Sequence, residues 1–84
     1  MTKGEYRVGI DFNPSNDDTV GKIKRAAADL IDLIETIPSN LGVESEAQAI
    51  QQNEVYRLKA LAQTHIEDAA MWAVKAATKP APKN

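Results

Sequence analysis

Residues 19–37 read TVGKIKRAAADLIDLIETI, and the spacing of the apolar side chains in this stretch decides the fold. Ile23, Ala27, Leu30, Ile34 and Ile37 recur at intervals of four, three, four and three, the seam of a packed helix, and Val20 and Leu33 widen the stripe. Gly21 weakens the first turn slightly. Upstream, Pro14 biases Asn13 away from helix, Asn16 or Asp17 can cap the helix, and Asp17 and Asp18 suit the positive end of its dipole. Pro38 stops it.

Downstream, residues 38–44 (PSNLGVE) read as a connection, and Ser45 with Gln48 forms a capping box that opens a second helix running to about Ala77. Its apolar positions include Ile50, Val55, Leu58, Leu61, Ala62, Ile66, Ala69, Ala73 and Ala76. Alanine is abundant from Ala60 to Ala77, which permits close helix approach. The stretch YRVGIDF, Tyr6 to Phe12, alternates weakly, so residues 1–18 are expected to form a short strand or extended arm followed by a turn. The proline- and lysine-rich residues 79–84 read as a disordered tail. The expected fold is all-α: one domain over residues 1–78, a helical hairpin of two long antiparallel helices with a short extended N-terminal arm. At 1.5 Å per residue the helices are roughly 30 and 50 Å long.

The chain has 84 residues, no cysteine, one histidine and a net charge of −2. A domain this small has little margin against conformational entropy, and disulfides are not there to help. A two-helix hairpin has one seam and leaves its other apolar flanks wet, Trp72 and Met71 among them. Self-association into a symmetric oligomer is the remaining route to a larger core. Cysteine-based zinc sites and thiol catalysis are excluded, and a lone histidine argues against any metal centre. The acidic balance provides no global field for DNA or RNA. No apolar run approaches membrane-spanning length, and the start MTKGEYRV lacks the apolar core of a signal peptide, so the expected compartment is the cytoplasm.

Catalysis is rejected. There is no nucleophile elbow, HExxH, Walker loop or glycine-rich dinucleotide turn. Glu67 and Asp68 are adjacent, hence about 100° apart on a helix, and His65 and Thr64 lie on different faces. A basic and hydroxylic set is more informative. Arg57 and Thr64 lie seven residues apart, nearly stacked on one face, and an arginine fork beside a hydroxyl suits a phosphodiester. The competing reading is a solvated face laced by ion pairs. Lys22, Lys24 and Arg25 open the first helix, where a ring from Phe12 or Tyr6 could stack on a base while a cation neutralises phosphate. Against that stands a simpler reading, with Phe12 as a staple on the helix and the lysines in solvent.

The segment RLKALAQTHIEDAAMWAVKAAT, Arg57 to Thr78, closely resembles the C-terminal helix of the anti-CBASS/Thoeris anti-defence hairpin family of phage proteins. The string FNPSNDDTVGKIKRAAADLIDLI, Phe12 to Ile34, is similar to that family's aromatic-x-Pro turn and first helix. The resemblance implies a hexamer without catalysis, a sponge that sequesters immune second messengers in the host bacterial cytoplasm. It implies cyclic dinucleotides such as cyclic GMP–AMP at a pocket between protomers, held by an aromatic ring and a lysine. It also implies cyclic trinucleotides at a threefold site, where Arg57 and Thr64 match the phosphate contacts, and cyclic ADP-ribose isomers in some members. Phe12 matches the stacking aromatic, with Asn13 beside it, Lys22 and Arg25 near phosphates, and Tyr6 as a rival ring. Phe12 stands where some members carry tyrosine, and the connection between helices is longer than in the shortest members. No cofactor, metal, nucleic acid or membrane partner is expected. The alternative function is a helical-hairpin interaction module that binds a host protein and no small ligand.

Overall fold

The structure is a computed structural model and describes residues 1–39 and 42–83. Three helices follow one another, α1 (Lys3–Val8), α2 (Asp18–Glu35) and α3 (Glu46–Ala77), with no strand among the described residues. The long pair, α2 and α3, forms the hairpin, and α1 lies mainly against α2 with a smaller contact on α3. Asp17 caps α2 by accepting the Thr19 N–H at 2.8 Å, and Ser45 caps α3 by accepting the Gln48 N–H at 3.1 Å. Residues Asn40 and Leu41 of the expected connection and Asn84 of the expected tail lie outside the described residues.

The extended N-terminal arm is corrected: its first part is helix. The Thr2 hydroxyl accepts the Glu5 N–H at 3.1 Å while the Glu5 carboxylate accepts the Thr2 N–H at 2.8 Å, a reciprocal capping box. The helix ends at Gly9, whose φ of 64° lies in the left-handed region open to glycine, and the Ile10 N–H closes back on Glu5 O at 3.0 Å. Two good caps outweigh a weak period-two alternation over so few residues.

The buried line of α2 is Val20, Lys24, Ala28 and Ile31, one position round from the expected seam of Ile23, Ala27, Leu30, Ile34 and Ile37. Leu30 and Ile37 are each 45% exposed and Leu33 64%. The reason is that α2 serves two neighbours at once, so its inward face turns towards the line between α1 and α3. On α3 the buried positions are Gln63 and Ala70, with Val55, Ala62 and Ile66 half-buried. The Cα envelope measures 63 × 28 × 13 Å, an elongated and shallow shape in which the short α1 lies over one side of the hairpin. A hairpin covered on one side by a six-residue helix has nothing against which to bury its other face. An outward apolar row therefore stays open, formed by Leu30, Leu33 and Ile37 with Leu58 and Leu61 from α3.

Candidate functional site

The turn between α1 and α2 is built by its own polar side chains. Asn13 Nδ2 donates to Asp17 O at 3.0 Å, Ser15 Oγ donates to Asn13 Oδ1 at 2.7 Å, and the Asp17 N–H donates to Ser15 Oγ at 3.1 Å. Asn16 takes the left-handed conformation that asparagine tolerates, with φ of 53°. Asn13 is thus committed to holding the turn, and Pro14 follows it in an exposed position.

Lys24 clamps this turn onto α2. Its ammonium donates to Gly9 O at 2.9 Å and to Phe12 O, and lies 5.4 Å from the centroid of the Phe12 ring. The residue is only 8% exposed. Among the described residues no carboxylate forms an ion pair with it. Phe12 itself is 70% exposed and Tyr6 77%. Both rings border one cavity of about 470 Å³, lined also by Glu5, Gly9, Ile10 and Asp11, whereas Lys24 lines a separate hollow of about 220 Å³ with Phe12, Asn13 and Pro14. On the other side of α1 a groove of about 670 Å³ runs along α3 between Arg7, Lys24, Met71, Val74 and Lys75. Lys75 Nζ stands 5.3 Å from the Trp72 ring at this end of α3.

The other expected cations are engaged with carboxylates. Lys22 pairs with Asp18 at 3.1 Å along α2, well exposed. Arg25 bridges Glu5 at 2.8 Å and Asp29 at 2.7 Å. The Arg25 guanidinium, helped by the Thr2 N–H, holds the Glu5 carboxyl down at about 2, and Arg25 is raised in return by Glu5 and Asp29. Arg57 forks onto Glu54 through Nη2 at 2.5 Å and Nε at 3.1 Å, which lowers the Glu54 pKa.

Thr64 shares the face of Arg57, but its hydroxyl accepts from Arg7 Nη2 at 3.4 Å, while Arg7 Nε donates to Glu67 at 3.2 Å. Beside it is a smaller cavity of about 180 Å³ bordered by Lys3, Arg7, Glu35, Lys59, Gln63 and Thr64. There Gln63 Nε2 and Lys3 Nζ both donate to Glu35, at 2.9 and 2.6 Å, and lower its pKa. Among the described residues no cluster of three or more candidate metal ligands occurs.

The structure thus joins Tyr6 and Phe12 at one cavity, leaves Lys22 and Arg57 pointing to solvent, and ties Arg25 and Thr64 into the seating of α1. The sequence reading grouped Lys24 with Lys22 and Arg25 as cations for a ligand phosphate but chose only the latter two as site residues. A signal was there: Lys24 is the single charge in the spaced series Val20, Lys24, Ala28, Ile31. Arg7 was missed with no signal to find it, since Thr64 and Glu67 lie 57 and 60 residues away.

One known family matches: the model of the Acb2/Tad1, hairpin domain family covers residues 4–78. No curated protein matches the chain, nor does any solved structure.

Proposed function

We propose a function from a plain premise: the chain belongs to the Acb2/Tad1 hairpin-domain family, the anti-CBASS and anti-Thoeris sponges. It binds cyclic oligonucleotide second messengers of host immunity in the bacterial cytoplasm and holds them uncleaved. Several copies, forming a hexamer, enclose the ligand. Cyclic dinucleotides such as cyclic GMP–AMP sit around the Phe12 ring, which borders the Tyr6 cavity on one side and, with Asn13 and Lys24, a second hollow on the other. Cyclic trinucleotides occupy a second site where symmetry gathers Arg57 and Thr64.

The observation that carries the reading is the Phe12 ring, exposed on a rigid turn, with the Lys24 ammonium 5.4 Å from its centroid. An aromatic face stacks on any base, worth about 1–3 kcal/mol per base. A nearly buried ammonium held only by carbonyls lacks a counter-charge, and a phosphodiester oxygen supplies one. Ammonium carries three donors, and Gly9 O and Phe12 O use two. Of the three cations Lys22, Lys24 and Arg25, Lys24 supports this role best, because the other two are paired with carboxylates. A cavity of about 470 Å³ in one copy falls in the range of small-molecule sites, about 300–1,000 Å³, but is open on its outer side. A second copy closes it.

The test is thermal unfolding of the full chain with cyclic GMP–AMP, cyclic tri-AMP and cyclic ADP-ribose isomers, with the ligand mass read afterwards. A ligand at a hundred times its Kd stabilises by about 2.7 kcal/mol and is recovered intact. Phe12→Ala is expected to weaken dinucleotide binding by roughly 10–100-fold, the loss of one stacked base. No shift with any of these ligands would overturn the reading. It would favour the second one, an interaction hairpin for a host protein, to which the open row Leu30, Leu33, Ile37 and Leu58 points.

A further inference from the structure

Gly4 is the one buried residue of α1. Its N–H donates to Asp32 Oδ1 at 2.7 Å, so the α1 backbone lies directly on α2. A Cβ at this position would stand 2.2 Å from Ala28 O and 2.8 Å from Ala28 C, both main-chain atoms inside α2. Main chain in mid-helix cannot step aside as the end of a flexible side chain can. By contrast, a Cβ at Gly21 or Gly42 meets nothing within 4 Å. The remaining side-chain ties of α1 are the ion pairs Lys3–Glu35 at 2.6 Å, Arg25–Glu5 at 2.8 Å and Arg7–Glu67 at 3.2 Å, with hydrogen bonds from Lys3 to Gln63 at 2.9 Å and from Arg7 to Thr64 at 3.4 Å. The side chains of the ion pairs are between 23% and 49% exposed, and pairs so exposed hold weakly. A helix of six residues does not hold itself either. Close backbone contact is therefore what sets the height of α1 above α2. Tyr6 rides on this helix, and Phe12 follows one turn beyond its cap.

We infer that Gly4 is a positioning residue of the Tyr6–Phe12 cavity: it touches no ligand, and its missing side chain lets α1 seat low enough to bring both rings to one site. The part that concerns ligand rests on the proposed function, whereas the seating of α1 does not.

The test compares Gly4→Ala with Gly21→Ala in the full chain, by amide exchange and aromatic proton shifts in NMR, together with titration of cyclic GMP–AMP. In Gly4→Ala the amides of residues 4–10 are expected to lose protection at least tenfold while those of α2 and α3 keep theirs. The Tyr6 and Phe12 shifts move towards those of a peptide spanning residues 1–13, and the Kd rises at least tenfold. Gly21→Ala leaves all of these unchanged. Asp32→Ala, which removes the acceptor of the Gly4 amide and adds no bulk, moves them in the same direction by less. Wild-type exchange and shifts in Gly4→Ala would overturn the inference, as would an unchanged Kd with α1 displaced or a loss of protection spread evenly through the hairpin. If the wild-type chain binds no cyclic nucleotide, the proposed function fails alone, and exchange still decides the role of Gly4 in seating α1.

Discussion

Replacing Ile31 and Leu33 separately by alanine tests whether the outward row of α2 is covered by another copy. Ile31 is fully buried and Leu33 is 64% exposed in the single chain. Truncating either removes three carbons; at about 0.8 kcal/mol each, the transfer loss for a fully buried side chain is roughly 2.4 kcal/mol. The residual cavity places Ile31→Ala within about 2–5 kcal/mol. Scaling the same loss by the shielded third of Leu33 leaves roughly 1 kcal/mol for a lone chain. Should a second copy cover this row, Leu33→Ala rises into the Ile31 range, and its cost depends on protein concentration. A domain of 84 residues has roughly 4–13 kcal/mol in total, so either full cost is a large share. With about 4–8 °C per kcal/mol, Ile31→Ala lowers Tm by at least roughly 10 °C and by up to about 40 °C at the upper end of that range. The assay is thermal unfolding at low and hundredfold higher concentration, paired with sedimentation. A Leu33→Ala cost near 1 kcal/mol at every concentration, together with single-copy sedimentation, would refute the covered row and the closing of the Tyr6–Phe12 cavity with it.

Two further outcomes can be checked directly. Arg57→Glu is expected to abolish cyclic tri-AMP binding and leave both oligomeric state and dinucleotide binding intact, as read by isothermal titration and native mass spectrometry; unchanged trinucleotide binding would remove Arg57 from that site. Glu5 has a folded pKa of about 2 against an ordinary value of 4.5, so its contribution is full above 4.5 and is lost as pH falls from 4.5 towards 2. The Tyr6 ring shifts should therefore stay constant from neutral pH down to about 4 and change as pH falls towards 2, with Glu5→Gln removing this component.

The hairpin was legible because its signals are local. Intervals of three and four from Ile23 to Ile37, the stop at Pro38 and the Ser45–Gln48 cap all act within about one helical turn, and they placed α2 and α3 to within two residues of their observed ends. The capping box Thr2–Glu5 and the Gly9 stop were equally local and equally readable. Reading the alternation across Tyr6–Phe12 instead turned a helix into an arm.

Sequence alone determined that this chain makes two long amphipathic helices with apolar surface to spare, because helix periods and caps are written in neighbouring residues. Only the tertiary structure decided which face of α2 is inside, since α1 and α3 compete for it. It decided that Lys24 clamps the Phe12 turn from 12 residues away, that Thr64 meets Arg7, and that Gln63 bridges to Glu35 across 28. Those pairings depend on the relative placement of helices, which no spacing within one helix encodes.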